Sequence, residues 1–100
     1  MNKKCCELLK EVINKNYNNI RLDNMSCNDD EFYYEFKADE QISENDFEKL
    51  ENEIRKIDND VYVKLLRVSG VYFEGNANNK MIQRIVGKSF ESKEDLDKYN

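Results

Sequence analysis

The chain contains no histidine, which narrows its chemistry before any other residue is considered. Histidine is the commonest general base near neutral pH and the commonest metal ligand. Without it neither a Cys–His nucleophile nor an imidazole-dependent zinc site can be assembled. The remaining soft ligands are Cys5, Cys6 and Cys27. Adjacent thiolates do not easily take two corners of one tetrahedron, so no metal is expected. Vicinal disulfides are strained and Cys27 cannot pair with both neighbours, so reduced thiols in a cytoplasmic setting are the expectation. Cys5 should pack on an apolar helix stripe, with Cys6 and Cys27 partly exposed. Gly70, Gly75 and Gly87 are the only glycines, and none precedes a helix as a phosphate-binding loop would. No cofactor is implied. Carboxylates are plentiful, but acidic helix faces are usually solvated surface. By residue type this is a binding or interaction module.

What such a module could bind depends on where its charges fall. The net charge is −5, yet residues 1–60 hold nine basic and sixteen acidic side chains, whereas residues 61–90 hold five basic and one acidic. The five are Lys64, Arg67, Lys80, Arg84 and Lys88, with Tyr62, Tyr72 and Phe73 among them. The whole-chain charge argues against a general nucleic-acid binder, and DNA is not an expected partner; the basic segment leaves RNA open. On a hairpin these side chains could hold phosphates and stack on unpaired bases. Composition alone favours instead a sheet whose aromatics are core and whose cations face solvent. No apolar run reaches the roughly 18 residues of a membrane span, and charges interrupt every apolar stretch near the N-terminus, so neither a membrane partner nor a secretory signal is expected.

The elements that must position these residues follow from hydrophobic period. Residues 1–100 suit a single domain with one modest core. Only 39% of residues are apolar, so the six Tyr and five Phe must supply much of the core volume. Residues 3–15 predict an amphipathic helix with Cys5, Leu8, Leu9, Val12 and Ile13 on one face. The Asn-rich stretch 14–19 ends it. A short extended piece near Ile20–Leu22 and a polar turn over Ser26–Asp30 follow. Phe32, Tyr34 and Phe36 alternate with Tyr33, Glu35 and Lys37, a half-buried strand. Ser43 and Asp46 form a capping box for a helix with Phe47, Leu50, Ile54 and Ile57 on one stripe and a Glu51–Arg55 pair. Residues 61–74 read as a strand bent or bulged at Ser69–Gly70, and residues 75–79 as a turn. A further strand runs from Lys80 to Phe90, broken near Gly87. Ser92 and Asp95 cap a last short helix. The expected fold is α+β, a small antiparallel sheet packed against helices in the order α-β-α-β-β-α.

Residues 64–90, KLLRVSGVYFEGNANNKMIQRIVGKSF, resemble the motif that closes the second N-terminal domain of threonyl-tRNA synthetases, a segment also found as the second additional domain (SAD) of alanyl-type enzymes. The family pattern is approximately K-L-x-x-x-(A/S)-G-x-Y-(W/F)-x-G-x-x-x-N-K-M-(L/I)-Q-R-I-x-G. Lys64, Leu65, Gly70, Tyr72, Phe73, Gly75, Asn79, Lys80, Met81, Gln83, Arg84, Ile85 and Gly87 match it in register. Residues 32–36 (FYYEF) are similar to the family's G-F-Y-Y-D-F strand, and residues 43–57 to its T-E-E-D-L-E-K-I-E-K-E-M helix. The resemblance thus covers most of the chain.

In that family the domain edits mischarged tRNA, using an H-x-x-x-H pair on its first helix and a C-x-x-x-H pair further on. The resemblance puts Lys3 and Glu7 at the first pair of positions, where they read as exposed helix charges. The insert carrying the second pair would fall between about Asp58 and Val61 and is missing. ATP-binding and anticodon-binding domains have no counterpart in these residues. The resemblance therefore implies a compact, non-catalytic relative that binds the acceptor end of tRNA or an aminoacyl-tRNA synthetase. Lys64, Arg67, Lys80, Arg84 and Lys88 would contact phosphates, and Tyr33 and Tyr72 would flank the terminal nucleotide. Arg84 could instead order the turn at Asn76–Asn79. Two alternatives stand beside this reading: a protein-interaction module with no RNA role, and a residual deacylase whose thiol would be Cys6.

Overall fold

The computed structural model describes residues 2–28, 30–73 and 81–99, apart from the side chains of Leu22, Asp23, Tyr72 and Phe73. Helix α1 (Asn2–Asn16) and helix α2 (Phe47–Ile57), the latter entered through a 3-10 turn at Glu44–Asp46, cover one face of a sheet. Its strands are β1 (Arg21–Cys27), β2 (Phe32–Ala38), β3 (Tyr62–Phe73) and β4 (Met81–Phe90), all antiparallel and ordered β1-β2-β4-β3. Helix α3 (Lys93–Tyr99) follows β4. This is the α+β class that the periodicity predicts. The extended piece expected at Ile20–Leu22 is a full edge strand, and it consumes Ser26 and Cys27 from the expected turn. The turn itself forms on Asn28, whose side-chain oxygen accepts from the amides of Asp30 and Glu31, each at 2.8 Å.

The core is built from strict alternation. Phe32, Tyr34, Phe36 and Ala38 of β2 are buried and meet Cys5, Leu8, Leu9, Val12 and Ile13 of α1 and Phe47, Leu50 and Ile54 of α2. Ile57, expected on the α2 stripe, is 48% exposed at the last residue of the helix, although Ile54 one turn earlier is fully buried. Helix α1 stops where asparagine amides compete for its carbonyls. Asn14 donates to the carbonyl of Lys10 and Asn16 to that of Val12, both at 2.8 Å. Asn19 then takes a left-handed φ of 59°.

Strand β4 is not broken at Gly87. The glycine stands opposite Phe32, and a Cβ there would lie 2.5 Å from the ring's Cζ. The residue is small because the ring occupies the space a side chain would need. Gly70, at φ +64°, sits within the bulge between Ser69 and Tyr72, as the sequence predicts. Among the described residues, one polar side chain lies wholly in the core: Gln83 accepts from the amide of Ile42 and donates to the carbonyl of Glu40, both at 2.9 Å. It ties the loop after β2 to the first part of β4.

Strand β3 lies at the sheet edge, and carboxylates from α2 and its 3-10 entry turn occupy two of its outward amides. Leu65 donates to Glu51 at 2.7 Å and Val68 to Glu44 at 3.2 Å. An edge whose donors are occupied is a poor template for another strand. Glu51 is thereby turned toward the strand rather than toward Arg55, whose guanidinium instead stands 5.7 Å from the Tyr62 ring centroid. Burial pushes the Glu51 carboxyl above its ordinary pKa, opposed by the Leu65 amide and the nearby Lys64.

Urea denaturation should show Gly87→Ala losing about 1–3 kcal/mol through overpacking against Phe32. Phe32→Leu in the same chain should recover part of that loss. A neutral Gly87→Ala would mean that the ring does not press on this strand. Gln83→Leu should cost a similar amount, about 1–3 kcal/mol, because it strands the buried amide of Ile42 without a partner.

Candidate nucleic-acid interface

The face of the sheet away from α1 and α2 carries the other half of each alternation. Pairing of Glu35 with Arg84 and of Tyr33 with Val86 across β2 and β4, then of Val86 with Arg67 and Arg84 with Ser69 across β4 and β3, brings these side chains onto one surface. Ser26 joins them from β1, opposite Tyr33. All of these except Glu35, together with Asn28 and Glu31, line a pocket of about 180 Å³. Its floor is Val86, buried although it faces away from the core.

At the centre, the guanidinium carbon of Arg84 lies 4.4 Å from the Tyr33 ring centroid, within cation–π range. The same guanidinium donates to Glu35 Oε2 at 2.7 Å. Tyr33 thus presents a ring already faced by a planar cation, held in place from the neighbouring position on its own strand. Arg67 reaches Glu31 at 3.3 Å across the pocket mouth, and Lys88 reaches the carbonyl of Asp30, also at 3.3 Å. The surface therefore offers planar groups for stacking, cations for phosphates, and hydroxyls and an amide for hydrogen bonds. Any anion entering must exchange with Glu31 and Glu35 for the guanidinium groups.

The structure brings together Tyr33, Arg67 and Arg84 in one pocket, with Lys88 on the same side of β4. Lys64 pairs with Lys88 in register but lines a different groove, with Glu44, Glu48 and Leu96, at the β3 edge. Lys80, the side chain of Tyr72 and the expected turn at Asn76–Asn79 lie outside the described residues. Within those described, Arg84 orders Tyr33 and Glu35. Glu31, Ser26 and Ser69 were not expected in the site. Glu31 lies two residues before Tyr33 and so on its side of the alternation, whereas Ser26 and Ser69 become neighbours only through strand register.

A stretch of 36 residues, 36% of the chain, is 61% identical to threonine–tRNA ligase of Geobacillus sp. (strain WCH70). Over 37 residues it is 60% identical to the threonine–tRNA ligase of Clostridium kluyveri, and over 38 residues 55% identical to that of Pelagibacter ubique. Over that stretch the chain is similar to threonine–tRNA ligase. It spans 6% of the length of these relatives. No family model matches the chain.

Lys3 and Glu7, the positions that the resemblance equates with editing histidines, are exposed on α1. Lys3 lines a separate cleft of about 470 Å³ that also includes Asn2, Cys27, Asn28 and Ser89; Glu7 does not. The thiols are distributed differently from expectation. Cys6 is 2% exposed and donates to the carbonyl of Tyr33 at 3.1 Å, because the helix packs both adjacent cysteines inward. A buried thiol in such a contact is a poor nucleophile. Cys5 is buried too, and burial pushes its pKa up to about 11. Cys27 is the exposed one. A thiol-disulfide reagent at neutral pH should therefore modify Cys27 rapidly in the folded protein, and Cys5 and Cys6 only after urea is added. Rapid loss of more than one thiol without urea would contradict this packing.

Proposed function

We propose that the chain is a non-catalytic accessory domain of tRNA aminoacylation, which binds the acceptor end of tRNA on the open face of its sheet. The observation that carries this reading is the Tyr33–Arg84 stack set in a polar pocket with Arg67, Ser26 and Ser69. An unpaired base has a π-face that such a platform accepts, and neighbouring cations suit the adjoining phosphates. The similarity to threonine–tRNA ligases supplies the RNA class. Lysine and glutamate at the resembling editing positions, together with a buried Cys6, favour binding without hydrolysis. Among the described residues no helix is long and apolar enough to cross a membrane, and a cytoplasmic site of action is part of the same proposal.

The second reading, a protein contact without RNA, draws on the ion pairs of Arg84 and Arg67. Their charges are already partly compensated within the chain, which weakens the pull on phosphates. A synthetase would then be the partner.

Titration of uncharged tRNA should give an affinity that falls steeply with salt, since phosphate contacts release counterions. Tyr33→Ala should cost about 1–3 kcal/mol of binding by loss of stacking. Lys88→Ala should weaken binding and flatten the salt dependence. Absence of binding at low salt would remove the RNA reading and leave the protein contact. Release of serine from seryl-tRNA by the unmodified protein would overturn its non-catalytic part.

A further inference from the structure

Four of the five cations that sequence charge balance points to, Lys64, Arg67, Arg84 and Lys88, lie on the sheet, yet lysines without an ion pair among the described residues also lie on the helices. Between α1 and α2 runs a groove of about 590 Å³ lined by Lys15, Lys49, Lys56, Asn52, Glu53 and Ile57, floored by Val12. It holds three cations and one anion inside the half of the chain that is acidic overall. The single anion, Glu53, is turned inward. Its carboxylate accepts from the Asn16 amide at 3.1 Å, lies 3.9 Å from Lys15 Nζ, and is 16% exposed. Lys49 and Lys56 are exposed and make no ion pair among the described residues.

Their placement in the helices distinguishes the lysines further. Lys15 and Lys56 occupy the last turns of α1 and α2, where a cation suits the helix dipole. Lys49 is in the first turn of α2, where the dipole opposes it. It is seven positions from Lys56, about two helical turns or roughly 10 Å along the same side. Asn52 sits between them with an amide able to donate. Exposed Ile57 adds apolar surface at one end. Cations spaced along a groove, an intervening amide donor and an apolar edge fit an extended chain of phosphates joined by less polar units.

We infer that the α1–α2 groove is a second RNA contact, taking the phosphodiester backbone of a single-stranded segment through Lys49, Lys56 and Asn52. The choice of RNA over other polyanions rests on the proposed function; the groove and its charge do not. Because α1 and α2 bury their inner sides against the sheet, this groove and the Tyr33–Arg84 pocket face opposite ways. One copy of the chain could then hold two RNA segments, one on each side.

The test is an amide-resolved NMR titration of the full chain with a short oligouridylate, repeated with the Lys49→Glu/Lys56→Glu double variant. The amides of residues 49–57 should shift as a group separate from those of Tyr33 and Arg84. The double variant should abolish the first group and leave the second. It should also reduce the slope of log affinity against log salt by about 0.7 for each lysine lost, the single-strand value. Tyr33→Ala should do the reverse, removing the sheet-face shifts and leaving the groove's. Shifts on the sheet face with none at residues 49–57 would overturn the groove while sparing the proposed function. Shifts in the groove alone would do the opposite, and no shifts anywhere would overturn both. Both lysines are exposed, so thermal unfolding of the double variant should match the parent, which separates lost binding from lost structure.

Discussion

Everything on this molecule's two faces depends on the register between β2 and β4. Both strands are internal to the sheet, and side chains alternate along each with a period of two. A shift of one residue would turn Phe32, Tyr34 and Phe36 out to solvent and bring Tyr33 and Glu35 inward. Two contacts hold the register as found. The Phe32 ring lies over Gly87, where no side chain could fit, and Gln83 reaches the loop after β2 through hydrogen bonds at both ends of its amide. Neither contact would survive a slip, since a bulkier residue would meet the ring and the amide would lose its partners. The Tyr33–Arg84–Glu35 arrangement is the outer consequence of the same pairing.

The edges of the sheet are managed unequally. On β3, carboxylates of Glu44 and Glu51 occupy amides that would otherwise be open to another strand. These acidic side chains would read in sequence as solvated helix surface, but they are fastened to backbone. That accounts for part of the acidity of the first sixty residues without assigning it to a partner. Elsewhere in the helices the charge is arranged across elements: Lys4 pairs with Asp58, which raises the lysine's pKa and lowers the aspartate's, and Tyr17 donates to Asp46 at 3.0 Å. The net charge of a segment is therefore a weak guide to the charge of the surface it forms. The lysine-lined groove between α1 and α2 arises within the most acidic part of the chain.

The pocket on the sheet combines recognition groups with internal counter-charges. Arg84 and Arg67 each have a carboxylate within reach, which keeps the guanidinium groups ordered when nothing is bound. The same pairs set a threshold for ligands, which must offer anionic groups able to replace Glu35 or Glu31, or else use the Tyr33 face and leave the pairs intact. Such a surface would favour a ligand with both a planar group and a phosphate over a simple anion.

The sequence alone determined the fold class, the two main helices, the two-faced character of residues 32–37 and the bulge around Gly70, because these depend on period and on local backbone preference. It also carried the resemblance to threonyl-tRNA synthetases, through a dense local motif that needs no folding to be read. The tertiary structure decided the rest. Strand β1 extends beyond its apolar residues because pairing with β2 satisfies a polar backbone that periodicity cannot see. Cys6 is buried because a helix against a sheet covers more than a single stripe. Gly87 continues a strand instead of ending one because a ring from the adjacent strand fills its missing side chain. Ser26 and Ser69 join Tyr33 and Arg84 only through register across four strands. Pairing between distant segments sets which side chains share a surface, and no local pattern in the chain encodes it.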